Sequence, residues 1–172
     1  KVINCNDKII TNGFIDLHAH FREPGFEFKE TIDTGAMSAF YGGYTRVCIM
    51  PNTDPVIDSP ELVKHLIDKS LDLPVYIYPI GSITKGQLGK ELSEIGLMVS
   101  SGAVAISDDG LPVQNSQIMR MALEYAKKYK IPVINHAEDV LLINDGLVHE
   151  GINSLKLGLS GNPDISESTM VY

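Results

Sequence analysis

The sequence predicts an α/β fold built on a parallel sheet, and three observations lead to that prediction. Short apolar runs rich in β-branched residues begin about every 28 to 32 residues. Segments with helical character separate these runs. Polar residues that suit metal binding stand at the C-terminal ends of the runs and not at their starts. This rhythm is typical of consecutive βαβ units, and it fits both an open sheet and a (β/α)8 barrel.

The composition indicates an ordinary globular domain. The chain has 172 residues, of which 44% are hydrophobic and 21% are charged, enough for a real core. A net charge of -8 argues against nucleic acid as a partner, because phosphate binding needs a basic stripe. The longest apolar runs are only strand-sized, so we expect no membrane span. The first residues do not resemble a signal peptide, and two cysteines, Cys5 and Cys48, are too few for a disulfide framework. We therefore expect a cytoplasmic location.

The predicted strands follow a short N-terminal segment. We expect residues 1–12 to be a linker or a strand left over from a small β-domain, and residues 13–172 to form a partial barrel. The predicted strands, in chain order, are Phe14–His20, Arg46–Met50, Pro74–Ile80, Ala103–Ser107 and Pro132–His136.

Helices are predicted between these strands from capping residues and apolar stripes. Ser59 and Pro60 are typical of a helix start, with a side-chain cap followed by proline at the first position. The predicted helices cover residues 30–41, a stretch beginning at Ser59, residues 87–99, a stretch capped by Ser116, and one beginning near Ser166. Residues 140–166 are rich in Gly, Asn and Asp, and we expect a loop there.

A barrel is favoured over an open dinucleotide-binding sheet. The segment after the first strand, residues 18–25, lacks the G-x-G-x-x-G turn of a dinucleotide binder. It contains polar, metal-binding residue types instead. Five strands do not close a barrel that needs eight, so the fold is either open or the chain is a fragment.

His18 and His20 are the first candidate metal ligands. Side chains alternate along a strand, so both imidazoles point to one face, while Ile15, Leu17 and Ala19 point to the other. In a barrel, active sites form at the C-terminal strand ends, and paired imidazoles suit zinc. An isolated H-x-H is equally consistent with two surface histidines. The two histidines alone therefore do not decide between a metal site and two surface residues.

Other polar residues recur at the same structural place. Asn52 follows the second predicted strand, Asp108 and Asp109 follow the fourth, and His136 ends the fifth. The carboxyl ends of parallel strands meet at one edge of a sheet, so we expect these side chains to lie near the two histidines. Glu138 either orients His136 or simply solvates a loop.

Four segments carry a specific resemblance. The segment Gly13–Gly25 resembles the signature of the dihydroorotases within the amidohydrolase superfamily. Three further segments resemble that family's other signatures in the same order and spacing: Met50–Pro55, Ser107–Gly110 and Asn135–Asp139. The similarity is closest to the monofunctional bacterial type, which has an aspartate in the metal bridge. Asn12 departs from the usual proline, in a turn that carries no chemistry.

The resemblance implies a role for each matching residue. It implies zinc as cofactor, two ions in a complete site, with the ligands His18, His20, Asp109 and His136. It also implies a small anionic substrate contacted by His20, Arg22 and Asn52, with Arg22 and Asn52 holding its α-carboxylate. The planar guanidinium of Arg22 matches a carboxylate in a bidentate manner, which a lysine does not. The alternative for Arg22 is a surface ion pair with Glu23.

The sequence also restricts which residue can bridge the two metal ions. Many relatives, such as hydantoinases, bridge their metals with a carboxylated lysine on the fourth strand. This chain has no lysine between Lys90 and Lys127, so an acid must take that place. Alternation along the strand directs only one of Asp108 and Asp109 toward the metals. We expect Asp109, with Asp108 the weaker candidate.

The implied activity is that of a dihydroorotase: zinc-dependent, reversible hydrolysis of L-dihydroorotate to N-carbamoyl-L-aspartate in de novo pyrimidine synthesis. The implied fold is a (β/α)8 TIM-like barrel of the metal-dependent hydrolase type, with about five β/α units present. In this family the general base is an aspartate from the eighth strand, and a further histidine ligand comes from the sixth. Neither lies within these 172 residues, so we expect this polypeptide alone to be inactive.

Two other functions stay open at this stage. One is another cyclic-amide hydrolase, such as a hydantoinase or an allantoinase, whose substrate would not need Arg22. The other is a non-catalytic homologue that partners aspartate transcarbamoylase and takes up no zinc. A homodimer is the further expected assembly.

Overall fold

A computed structural model describes residues 2–172; Lys1 lies outside the described residues. The strands are β1 (Phe14–Ala19), β2 (Tyr44–Ile49), β3 (Tyr76–Pro79), β4 (Val148–His149) and β5 (Gly161–Asn162). The α-helices are α1 (Ile32–Tyr41), α2 (Pro60–Lys69), α3 (Ile95–Ser100), α4 (Ser116–Tyr129), α5 (Val140–Ile143), α6 (Ile152–Leu157) and α7 (Ile165–Val171). Residues 2–12 are mostly exposed and contain no strand, and their origin in a small β-domain stays a prediction.

The principal sheet is parallel, as predicted, with the order β1-β2-β3. The prediction of full strands over residues 103–107 and 132–136 is wrong in extent. Single parallel bridges extend the sheet instead, from Gly81 to Ile106 and from Ile106 to Val133. Pro132 has no N–H to donate, which limits the ladder at that edge. The fold is therefore α/β with parallel strands, and within residues 2–172 the principal sheet has three strands rather than the five predicted.

Local capping explains where the longer helices begin. Ser59 caps α2 by accepting a hydrogen bond from Leu62 N, and Pro60 occupies its first turn, as predicted. The predicted cap of α4 is wrong by one residue. Asn115, not Ser116, accepts hydrogen bonds from the backbone N–H groups at the start of that helix.

Two predicted segments differ from the structure. Residues 87–99 were predicted as one helix, but they contain only the end of a 3-10 turn (Lys85–Gln87) and then α3. The left-handed φ of +67° at Gly89 separates the two. Residues 140–166 were predicted as a loop, yet they hold α5, α6 and the parallel pair β4–β5. Two-residue strands are too short to show an apolar period.

The core lies between the principal sheet and helices α1 to α4. Its large, fully buried members include Ile32, Ile49, Ile57, Val63, Leu66, Met98 and Ile106. Ile15 and Leu17, on the face of β1 opposite His18, are 53% and 67% exposed within the described chain. None of the helices in residues 2–172 is long and apolar enough to cross a membrane.

A buried carboxylate holds the loop after β1 against two helices. Glu23 accepts a hydrogen bond from Ile32 N at the start of α1, at 2.8 Å, and forms an ion pair with Lys69 at the end of α2. The hydrogen bond to Glu23 raises the pKa of Lys69, although partial burial opposes this. The alternative of an Arg22–Glu23 surface pair is therefore wrong, because Lys69 is the partner of Glu23.

The loops after β1 and β2 also interlock directly. Asp54 N donates to the Pro24 carbonyl at 3.0 Å, and Gly25 lies against the backbone of Asp54. Gly25 has a φ of +95°, and a Cβ placed there would overlap the Asp54 carbonyl oxygen. This contact fixes the two loops that carry the polar residues after β1 and β2.

We predict that Gly25→Ala lowers the free energy of unfolding more than Gly89→Ala, by about 1–3 kcal/mol. Both glycines have a positive φ, but a Cβ at Gly89 would meet nothing within 4 Å. Gly89 has a φ of +67°, inside the left-handed region that other residues can adopt, so the difference reports the steric overlap at Gly25 together with its less favourable φ of +95°. Urea unfolding of both variants measures it, and equal losses would contradict the interlocked arrangement.

Candidate metal centre

Two histidines at the end of β1 face one carboxylate. The rings of His18 and His20 lie edge to face, with centroids 5.2 Å apart. His18 Nε2 is 3.5 Å from Asp109 Oδ1, and His20 Nε2 is 3.4 Å from Asp109 Oδ2. Each oxygen of the carboxylate thus faces a different imidazole. Strand alternation predicts the shared face of the histidines, and the parallel sheet brings Asp109 opposite them.

The two neighbouring aspartates have different surroundings. Asp108 Oδ1 accepts hydrogen bonds from Ile83 N at 2.8 Å and Thr84 N at 3.1 Å, and its Oδ2 accepts from the Thr84 hydroxyl. Burial raises the pKa of Asp108, and these hydrogen bonds partly oppose that rise. The side chain of Asp108 is therefore engaged in holding the turn after β3, whereas that of Asp109 faces the histidines.

His136 reaches the same carboxylate. Its Nδ1 lies 3.3 Å from Asp109 Oδ1, and its Nε2 lies 3.2 Å from Glu138 Oε2. Glu138 Oε1 in turn accepts a hydrogen bond from Asn162 Nδ2 in β5, at 3.3 Å. Of the two roles considered for Glu138, contact with His136 is the one that the structure has. The region predicted as a loop supplies the residue that steadies Glu138.

The donor atoms suit a metal ion. One ligand atom from each of His18, His20 and Asp109 lies within 4.8 Å of the others. Imidazole nitrogen and carboxylate oxygen are donors that zinc takes readily. An open cavity of about 580 Å³ adjoins His18, Asp109 and His136, so a small molecule can approach this cluster.

The two residues expected to bind a carboxylate lie in the loops after β1 and β2. Asn52 Oδ1 lies 2.9 Å from His20 Nδ1. Arg22 has a left-handed φ of 55°, which is uncommon for a residue with a side chain. Within residues 2–172 its guanidinium takes part in no ion pair.

Known proteins resemble this chain along nearly its whole length. Dihydroorotases of Solibacter usitatus and Acetivibrio thermocellus are 49% and 50% identical to it, each over 99% of this chain. The dihydroorotase of Endomicrobium trichonymphae is 51% identical. The chain spans about 40% of the length of these curated relatives.

A solved structure supports the fold independently. The L-hydantoinase (dihydropyrimidinase) of Arthrobacter aurescens superposes with a TM-score of 0.63 at 19% identity, over 78% of this chain and 31% of that one. At this identity the likeness concerns the fold alone. The family model described as Dihydro-orotase-like matches residues 7–172. With a match of that extent, and with relatives half identical to it, the chain belongs to the dihydroorotase-like family.

Proposed function

We propose that this chain is the metal-holding part of a dihydroorotase, which interconverts L-dihydroorotate and N-carbamoyl-L-aspartate in de novo pyrimidine synthesis. The observation that carries the proposal is the convergence of three imidazoles on the buried carboxylate of Asp109, in a chain of this family. The proposal includes a (β/α)8 barrel as the complete fold. A homodimer, an aspartate transcarbamoylase partner and a cytoplasmic location stay predictions.

The proposed cofactor is zinc, with two ions in a complete site. His18 and His20 would hold one ion, His136 would hold the second, and Asp109 would bridge them. We assign the bridging role to Asp109 because all three imidazoles reach its carboxylate, His20 at Oδ2 and both His18 and His136 at Oδ1. When bound, zinc would supply an acidified water and polarise the ring carbonyl of the substrate.

The chain's own residues would prepare this site in two ways. Asp109 is only 7% exposed, so its charge is poorly hydrated and strongly favours a cation beside it. Glu138 accepts from His136 Nε2 and thereby leaves Nδ1, the atom that faces Asp109, free to bind. A carboxylate behind a histidine ligand is a frequent arrangement at zinc sites.

We predict that Asp109→Asn weakens zinc binding by more than about 100-fold, beyond the 10–100-fold typical of residues that only support a ligand. The amide keeps the shape of the side chain but loses the charge and one acceptor oxygen. Competition with a chromogenic chelator measures the affinity, in the longest natural polypeptide that contains this sequence.

Asp108→Asn is the matched control for this experiment. It should lower the free energy of unfolding by about 1–3 kcal/mol, because an amide nitrogen would replace Oδ2, which accepts from the Thr84 hydroxyl, while Oδ1 can still accept from Ile83 N and Thr84 N. Its zinc affinity should fall less than that of the Asp109 variant. Wild-type zinc affinity in Asp109→Asn would refute the bridging role.

The substrate's carboxylate is assigned to Arg22 and Asn52, with His20 beside them. Arg22 lies two residues beyond His20 in the interlocked loop, and Asn52 is in contact with His20 itself. Arg22 has a left-handed backbone conformation, and uncommon conformations of this kind cluster at functional sites. A guanidinium binds a carboxylate through two parallel hydrogen bonds.

We predict that Arg22→Met raises the KM for dihydroorotate about 10- to 100-fold, the cost of a lost charge-assisted hydrogen bond. Arg22→Lys should give a smaller increase, because it keeps the charge without the planar fork. Steady-state kinetics in the same full polypeptide provides the measurement. An unchanged KM in Arg22→Met would favour a cyclic amide that lacks a carboxylate, as in a hydantoinase.

A further inference from the structure

The backbone conformation of Arg22 has to be held by its surroundings. Its φ of 55° lies in the left-handed region, where a residue with a Cβ is less stable than in the helical or extended regions. Such a residue keeps that conformation only where neighbouring contacts hold it there. The direction in which the guanidinium leaves the chain depends on this backbone. Whatever fixes the backbone of Arg22 therefore also fixes its charged group.

Hydrogen bonds within the loop hold the backbone on both sides of Arg22. Phe26 N donates to the Arg22 carbonyl at 3.1 Å, and Glu23 N donates to the Phe21 carbonyl at 2.6 Å. These bonds shape the loop, but they join it only to its own residues. The position of the loop relative to the helices depends on other contacts.

The side chain next to Arg22 anchors the loop to two helices. Glu23 is only 7% exposed, and its carboxylate reaches both α1 and α2. Its Oε2 accepts a hydrogen bond from Ile32 N, at the start of α1, at 2.8 Å. Its Oε1 is paired with Lys69 Nζ at the end of α2. The carboxylate thus faces the positive end of one helix dipole and a cation on the other helix.

Lys69 supplies the counter-charge for this buried carboxylate. A carboxylate that has lost most of its hydration needs a cation or hydrogen-bond donors in place of water. Removing the lysine would leave a buried charge without its partner, which destabilises the arrangement that buries it. The loop would then gain by moving Glu23 toward water. Arg22 would move with Glu23, because the two residues are adjacent in the chain.

We propose that Lys69 is a positioning residue for substrate binding. Through its ion pair with Glu23 it keeps Arg22 in the left-handed conformation that presents the guanidinium to the substrate's carboxylate. This rests on the proposed function for the role of Arg22, whereas the ion pair itself does not. Only molecules with Arg22 in the competent conformation bind the substrate tightly, so the ion pair sets the apparent affinity. Lys69 itself touches neither the substrate nor the metal.

Lys69→Met tests the proposal, because it keeps an unbranched apolar stem and removes the charge. The KM for dihydroorotate should rise about 5- to 30-fold, the factor that corresponds to the cost of one left-handed residue. The kcat should stay close to the wild-type value, because a misplaced Arg22 weakens binding and leaves the chemical step intact. Steady-state kinetics in the longest natural polypeptide that contains this sequence provides the measurement.

Two further variants serve as controls. Lys69→Arg keeps a positive charge at the end of α2 and should return the KM close to the wild-type value. Lys64→Met removes a lysine from the same helix that pairs with Asp68 at 3.1 Å on the exposed surface. An exposed pair contributes little, so this variant should leave the KM unchanged. An equal rise of KM in the Lys64 and Lys69 variants would contradict the proposal.

The route of the effect can be tested in combination with Arg22→Met. If Lys69 acts through Arg22, the two substitutions are not additive. Adding Lys69→Met to the Arg22 variant should then raise the KM no further. A full additional increase would mean that Lys69 affects the substrate by another route, and it would overturn the proposal.

Zinc affinity separates positioning from a general loosening of the site. Competition with a chromogenic chelator should give wild-type affinity in Lys69→Met, because the metal ligands His18, Asp109 and His136 lie outside this loop. A loss of zinc affinity as large as the rise in KM would overturn the positioning role. Far-UV circular dichroism and urea unfolding of the same variant check that it folds.

A double variant keeps the test decisive if Lys69→Met fails to fold. Glu23→Gln combined with Lys69→Met lacks the ion pair but carries no unpaired buried charge. Its KM should also be raised, and a wild-type KM there would overturn the proposal. A raised KM in Arg22→Met with a wild-type KM in Lys69→Met would overturn the positioning role alone. An unchanged KM in Arg22→Met would overturn the proposed substrate as well.

Discussion

The contact on which the site depends is the buried carboxylate of Asp109 between imidazoles from distant parts of the chain. His18 lies in β1 and His20 directly follows it, while His136 follows the last parallel bridge, at Val133. Gathering these groups without a cation is costly, because the buried carboxylate has lost most of its hydration. A metal ion reverses this balance. The cluster therefore lowers the stability of the metal-free fold and favours the binding of a cation. The surrounding fold must hold it in position.

A layer of hydrogen bonds behind the cluster holds it. Asn52 faces the outer nitrogen of His20, and Glu138 faces the outer nitrogen of His136. Because each partner accepts a hydrogen bond, each imidazole turns its other nitrogen toward Asp109. The interlocked loops fix Asn52, and Asn162 of β5 steadies Glu138. The geometry of the centre is therefore a property of the loops as much as of the strands.

The sequence predicted the features that strand alternation and helix capping determine. It did not predict the contacts that tertiary packing determines. The shared face of His18 and His20 and the start of α2 at Ser59 follow from local rules, and the structure has both. Alternation directed one of two adjacent aspartates inward, and Asp109 is the one that faces the histidines. Why Asp108 turns away depends on Thr84, which is 24 residues distant in sequence. The pairing of Glu23 with Lys69, 46 residues away, leaves no local pattern either.

The net charge of -8 does not conflict with an anionic substrate. Charges on the surface are screened over about 8 Å at physiological ionic strength, so most carboxylates lie too far away to repel a ligand at the centre. Within that distance of the centre, the acidic side chains face partners of their own. Asp109 and Glu138 face imidazoles, and Glu23 is paired with Lys69. In the proposed site, Arg22 and a bound cation would then set the sign of the local potential, because a nearby charge in a partly buried site outweighs many distant screened ones.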